Sequence, residues 1–220
     1  MKAPRAILFD FGGTLDADGV TWKDRFRSAI GFDGETERFD RAFYAADDPL
    51  VGTIPRDLSL KETVERLSGN LVRELGLDAS TAPRVANAFY QDALAKSATS
   101  ARILERLAGR FRLGVVSNFY GNLTRVCADT GLAPHVRVAV DSAVVGFEKP
   151  DPRIFWAALE ALEVLPEEAV FVGDSLSRDM QGARGLGMAH VYVSPAGDAA
   201  ACCPADPVIP GVSRLLEMYP

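Results

Sequence analysis

Three aspartates draw attention by where they fall. Asp10 ends the apolar run Ala6-Ile7-Leu8-Phe9, and Asp174 follows the run Ala169-Val170-Phe171-Val172-Gly173, with Asp179 shortly beyond it. Singly, each has a structural explanation, because an Asp after an apolar strand commonly forms a turn and an acid at a strand-to-helix junction commonly caps the helix. If the two runs are neighbouring parallel strands, all three carboxylates meet at one sheet edge, where they repel unless a cation sits among them. An all-oxygen site of that kind suits Mg²⁺. Ser117-Asn118 closes a further apolar run, where a hydroxyl and loop N–H groups can hold phosphate oxygens; a plain strand-ending turn explains the pair equally well. Lys149, in Gly146-Phe147-Glu148-Lys149-Pro150, either extends its ammonium over the same edge or is a solvated loop charge. Three carboxylates, one dication and one ammonium would balance to neutrality and leave the site open to an anionic ligand.

The elements that must position these groups are legible as short buried strands. Ala6–Asp10, Phe111–Ser117, Val136–Val140, Ala169–Gly173 and Met188–Val193 are rich in β-branched residues and bounded by Gly, Pro or polar residues. Amphipathic helices separate them. The clearest runs from Asp151 to Glu163, where Ile154, Phe155, Ala158, Leu159 and Leu162 form one stripe behind the start signal Asp151-Pro152. Alternating buried strands and helices predict an α/β fold, a Rossmann-like parallel sheet covered on both faces. The interval 17–96 breaks the alternation, with helical stripes at Trp22, Phe26, Ile30, at Val64, Leu67, Leu71, Leu75, and at Val85, Phe89, Ala93. It reads as an inserted helical cap on a core made of 1–16 and 97–220, overhanging the carboxyl end of the sheet, where ligands of open α/β sheets bind.

Composition narrows the partners. The chain has 220 residues, a net charge of −6, 48% hydrophobic and 25% charged residues, the profile of a folded globular protein with a substantial core. No Lys/Arg cluster offers the broad positive surface that nucleic acid requires, so a small molecule is the expected partner. No stretch approaches the roughly 18 apolar residues of a membrane span, and Asp10 stops the N-terminal apolar run far short of a signal-peptide core. Cys127, Cys202 and Cys203 are odd in number and form no CxxC pair, which argues against a disulfide framework or zinc site and fits the cytoplasm. Cys202-Cys203 reads as a loop pair, and His135 and His190 as structural.

Taken in order, the motifs resemble the haloacid dehalogenase superfamily, in its branch with a helical cap inserted after the first motif. The four stand here as ILFDFGGTL, VVSN, EKPDPRIF and VGDSLSRD. The resemblance covers nearly the whole chain and implies a hydrolase, in the main a phosphatase. It implies that Asp10 is a nucleophile forming an aspartyl-phosphate, and that Asp10, Asp174, Asp179 and the main-chain carbonyl of Gly12 hold Mg²⁺. Ser117 and Lys149 would bind the phosphoryl group, with Thr14 and Asn118 completing the binding loops and supporting their geometry.

One position departs from that pattern. Phosphatases of the superfamily carry a second Asp two residues after the nucleophile, which protonates the leaving oxygen and then activates water; here the position is Gly12. Loss of a positioned acid costs about 10²–10⁴-fold in rate. Three readings accommodate this. The substrate has a good leaving group, such as an acyl phosphate, or an acid comes from the cap or linker, where Asp16 and Asp18 are nearest in sequence. Alternatively, the protein is a regulatory module that binds Mg²⁺ and phosphate with little turnover. Or the reaction needs no such acid, as in carbon–halogen or carbon–phosphorus cleavage. The superfamily's dehalogenases lack the Gly-Asp pair that Gly173-Asp174 supplies. Its phosphonate-cleaving members need a cap lysine, for which Lys23 and Lys61 are present without a motif match. Trp22 and its basic neighbours Lys23, Arg25 and Arg27 lie close enough to the first motif to touch a substrate.

Overall fold

The computed structural model describes residues 4–196 and 206–220, so the Cys202-Cys203 reading lies outside the described residues. The five apolar runs become β1 (Ala6–Phe9), β2 (Arg112–Ser117), β3 (Val138–Asp141), β4 (Ala169–Gly173) and β5 (Ala189–Val193), and among the described residues a two-residue β6 (Val208–Ile209) joins them in a parallel sheet. Their order across the sheet is β3-β2-β1-β4-β5-β6, the doubly wound arrangement expected of a Rossmann-like fold. β1 pairs with β2 on one side and β4 on the other, Phe9 lying opposite Val115 and Val172. That register brings the carboxyl ends of all three strands level, and with them Asp10, Ser117 and Gly173-Asp174.

Alternation along β1 divides the core. Ile7 and Phe9 face one cluster, together with Leu113, Val115, Val170 and Val172. Ala6 and Leu8 face the other, with Phe171 and the apolar stripe Ile154, Phe155, Ala158, Leu159 and Leu162.

The residues after β1 form α1 (Trp22–Ile30), α2 (Thr36–Asp47), α3 (Leu60–Glu74) and α4 (Thr81–Ala108), with no strand among them. Each expected stripe forms a helix, and α2, carrying Phe39, Phe43 and Ala46 inward, is an addition to them. α3 opens on a reciprocal cap, Ser59 accepting from the Glu62 N–H while the Glu62 carboxylate accepts from the Ser59 N–H. α4 is unbroken over 28 residues, and position 96 lies inside it; its first half packs on α3 while Ile103, Leu104 and Leu107 join the sheet-side core. The remaining helices flank the sheet: α5 (Leu123–Asp129), α6 (Ser142–Val145), α7 (Pro152–Leu162), α8 (Gln181–Gly185) and α9 (Leu215–Met218). The α7 start follows its signal, since the Asp151 carboxylate accepts from the Arg153 N–H at 2.9 Å with Pro152 at the first helical position. Among the described residues, no helix is long and apolar enough to cross a membrane.

Candidate active site

At the carboxyl edge of the central strands, the chain leaves β1 through a tight turn over Phe11–Leu15. Gly13 makes this turn possible with φ 94°, and a Cβ there would overlap the Asp174 carboxylate. Gly12 has φ −73° and ψ 112°, a conformation open to any residue; its constraint is steric, because a Cβ would lie 3.3 Å from the Trp22 Nε1. Gly173 meets the opposite side of the site in the same way, its missing Cβ leaving room for Asp179.

The predicted groups converge. Asp10, Asp174 and Asp179 each offer a carboxylate oxygen within 4.8 Å of the others. The Lys149 Nζ lies 2.7 Å from Asp10 Oδ1 and 2.7 Å from Asp179 Oδ1. The Ser117 hydroxyl donates to the same Asp10 Oδ1 at 2.8 Å, so both fixed contacts engage one oxygen and leave Oδ2 without them. The Thr14 hydroxyl donates to Asp174 Oδ1 at 2.8 Å. Asn118 accepts from the Lys149 N–H at 2.7 Å and donates to the Lys149 carbonyl at 3.1 Å, clamping the lysine's backbone from both sides. The Ser175 N–H donates to Asp179 Oδ2 at 3.0 Å.

Electrostatics describe a cluster short of positive charge. Burial, then repulsion from Asp10 and Asp179, pushes the Asp174 carboxyl well above its ordinary range, and burial pushes Asp179 in the same direction against the pull of Lys149. Burial alone would lower the Lys149 ammonium, yet Asp10 and Asp179 together hold it above its usual value. A small, hard dication among these oxygens would relieve the repulsion, and an all-carboxylate donor set matches Mg²⁺ in chemistry.

The linker acids face elsewhere. Asp16 is buried, accepting from the Gly13 N–H at 2.7 Å, from the Trp22 indole at 2.8 Å and from Arg25 at 2.7 Å. Both of its oxygens are thereby committed to holding the turn. Asp18 pairs with Lys96 at 3.5 Å. Of the candidates that the sequence offered for a replacement acid, these two are thus engaged elsewhere.

A cavity of about 300 Å³ opens between this edge and the helices α1 and α2, bounded by Asp10, Gly12, Ser117 and Lys149 below and by Trp22, Tyr44 and Asp47 above. Trp22 and Lys23 line it, as the sequence suggested. Arg25 does not, being held by Asp16 and Asp92, and Arg27 turns to the Gly34 carbonyl. The sequence reading missed Asp47, Tyr120 and Arg178, which also line the cavity. Asp47 follows the Phe39/Phe43/Ala46 stripe at a helix end, and Tyr120 lies just beyond Ser117-Asn118, so proximity to the second motif was the available signal for it. A second cavity, about 260 Å³, lies between α3 and α4 against Lys61, Glu65 and Tyr90, away from the acidic trio. His190 has its Nε2 2.7 Å from an Asp206 carboxylate oxygen and its Nδ1 3.1 Å from the Met188 carbonyl, and it does not line this cavity.

Residues 4–187 match the family model described as haloacid dehalogenase-like hydrolase. The chain is 33% identical over 151 residues to bovine (Bos taurus) haloacid dehalogenase-like hydrolase domain-containing protein 3, a stretch covering 63% of this chain and 59% of that protein. It is 34% identical over 133 residues to the phosphoserine phosphatase of Thermus thermophilus, covering 59% of this chain and 53% of that one. The matches thus span little more than half the length of these relatives. Among solved structures, the 2-haloacid dehalogenase of Pseudomonas syringae aligns with a TM-score of 0.57 and 25% identity over 98% of both chains.

Proposed function

The chain belongs to the haloacid dehalogenase-like hydrolases, and from that membership we propose that it is a Mg²⁺-dependent phosphatase of a small phosphorylated metabolite, working through an aspartyl-phosphate on Asp10. The observation that carries this reading is the gathering of three carboxylates within 4.8 Å of one another beside a buried ammonium, at the floor of a cavity sized for a small molecule. Asp10 Oδ2 is the oxygen left for bond formation to phosphorus, since Oδ1 is held by Ser117 and Lys149. Lys149 and Ser117 steady the transferring phosphoryl group, while Thr14 orients Asp174 and Asn118 fixes the backbone of Lys149. Asp10, Asp174, Asp179 and the Gly12 carbonyl would hold Mg²⁺, which supplies positive charge to the phosphoryl oxygens when bound. In this reading, 1–16 and 97–220 form the catalytic core, 17–96 is a cap that shares α4 with it, and the enzyme acts in the cytoplasm. The phosphatase named among its relatives supports the substrate class.

Phosphate release from acyl, aryl, sugar and nucleotide phosphates in the presence of Mg²⁺ tests the proposal. Asp10→Asn and removal of metal with a chelator are each expected to abolish turnover. Undiminished activity in either would overturn the mechanism, and tight binding of Mg²⁺ and phosphate without turnover would make the protein a regulatory module instead.

Dehalogenation is a second reading, favoured by the missing carboxylate at Gly12 and by the likeness to a 2-haloacid dehalogenase. Halide release from 2-haloacids that survives the chelator would support it. Phosphonate cleavage has less support. The hydrogen bond from Lys23 to Asp40, at 2.8 Å, holds the Lys23 ammonium above its usual value, whereas an imine requires the free amine.

A further inference from the structure

With Gly12 unable to supply a proton and Asp16 and Asp18 turned away, the acid has to be sought on the opposite wall of the cavity. Asp47, at the end of α2, is on that wall, and its Oδ1 accepts from the hydroxyl of Tyr120 in the loop after β2. Both side chains line the cavity that also exposes Asp10, Ser117 and Lys149. The Tyr120 loop is itself fixed, its carbonyl accepting from the Gly52 N–H at 3.0 Å and the neighbouring Asn122 donating to the Leu58 carbonyl at 2.9 Å.

Resting on the phosphatase reading above, we infer that Asp47, oriented by Tyr120, is the proton donor and acceptor that this chain uses in place of the absent aspartate at Gly12. In the first half-reaction, Asp10 Oδ2 bonds to phosphorus, the bond from phosphorus to the leaving oxygen breaks with its electron pair on that oxygen, and the proton of a neutral Asp47 passes to it. In the second, water attacks the phosphorus and gives a proton to the Asp47 carboxylate, while the bond to Asp10 breaks and restores its carboxylate. Asp47 ends neutral again.

The environment suits both states. Burial raises the Asp47 carboxyl above its ordinary range, the Tyr120 hydrogen bond lowers it in part, Asp48 adds to the rise and Arg178, across the cavity, offsets it. Burial, then the Asp47 charge, holds the Tyr120 phenol well above its ordinary value, so it stays a donor throughout. Since the phenol occupies Oδ1, Oδ2 is the oxygen left for proton transfer.

A merely structural latch between α2 and the β2 loop predicts a different pattern, which a graded series of leaving groups separates. The measurement is kcat/KM with Mg²⁺ for 4-nitrophenyl phosphate and for alkyl phosphates such as glycerol phosphate, in wild type, Asp47→Asn and Tyr120→Phe. The Asn variant can still accept from Tyr120, so the contact survives while the proton is lost. Its alkyl phosphate kcat/KM is expected to fall by about 10²-fold or more, at least about tenfold more than the loss on the nitrophenyl ester, which needs little protonation. Tyr120→Phe should shift the same ratio in the same direction by a smaller factor. Equal losses on both esters in Asp47→Asn, or no loss on either, would overturn the assignment, and so would an unchanged ratio in Tyr120→Phe should Asp47→Asn fail to fold. A wild type inert toward every ester would overturn the phosphatase reading itself and this inference with it.

Discussion

Two adjacent glycines in the turn after β1 do different work. Gly13 is needed for its backbone, since φ 94° disfavours any side chain and a Cβ would enter the space of Asp174. Gly13→Ala should therefore lose about 1–3 kcal/mol from backbone strain alone and more from displacing the carboxylate. Gly12→Ala, with its ordinary φ, should change stability by no more than about 1 kcal/mol, the gain from a stiffer unfolded chain roughly offsetting the small shift demanded of Trp22. Thermal melts of the two variants check the contrast, and equal losses would contradict it. The same indole edge fills the direction a carboxylate at position 12 would take, so restoring Asp there requires Trp22 to yield, and Trp22 is packed edge-on against Phe89 and Phe119 at centroid distances of 4.9 and 5.7 Å. None of this crowding is legible in ILFDFGGTL. Motif spacing drew attention to Asp10, Ser117 and Asp174 at strand ends, to Asp179 in the turn that follows β4 and to Lys149 just ahead of α7, whereas Asp47 and Tyr120 meet through the orientation of α2, which no local pattern encodes.

At the level of elements, the turn after β1 is tied to α1 and α4 through one buried charge pair. Arg25 in α1 reaches Asp16 at 2.7 Å and Asp92 in α4 at 2.9 Å, while its guanidinium lies 4.1 Å from the centroid of the Phe89 ring. The Asp16 and Arg25 side chains are 0% and 8% exposed, so removing one leaves the other with little access to water. Asp16→Ala should cost about 3–5 kcal/mol, the range for breaking a buried pair on one side. Urea denaturation followed by circular dichroism measures it, and a loss near zero would mean the pair is dispensable. Sequence reading kept Asp16 as one candidate for a replacement acid because acids after a strand are ambiguous until their partners are known. The partner arginine was visible, read there as a candidate substrate contact. Strands were the more legible elements, since burial on both faces makes each an uninterrupted apolar run. β6 was missed because two residues carry no period.

On the scale of the whole molecule, sheet and helical layer share one apolar core. Ile7, Phe9 and Val115 of the sheet lie in the same buried cluster as Trp22, Phe26, Leu67, Leu71 and Phe89 of the helical layer. The helices after β1 are thus continuous with the sheet in packing, and the molecule should unfold in one cooperative step. Far-ultraviolet circular dichroism and the fluorescence of Trp22, read in a Trp156→Phe variant, should give coincident urea transitions; a separate early transition of Trp22 would show that the layers are independent.

The unbroken α4 has a mechanical corollary. At 1.5 Å per residue a helix of this length is a rod of roughly 42 Å, and it is the strut by which the chain returns from roof to floor. The other crossing is anchored by Asp16, and the roof is bolted again at Tyr120 and Asn122. A gate mounted on a rigid post and two bolts does not swing freely. On the proposed reading, the aperture over Asp10 is accordingly expected to keep its resting dimensions, so that size and shape sort what reaches it, as in a sieve.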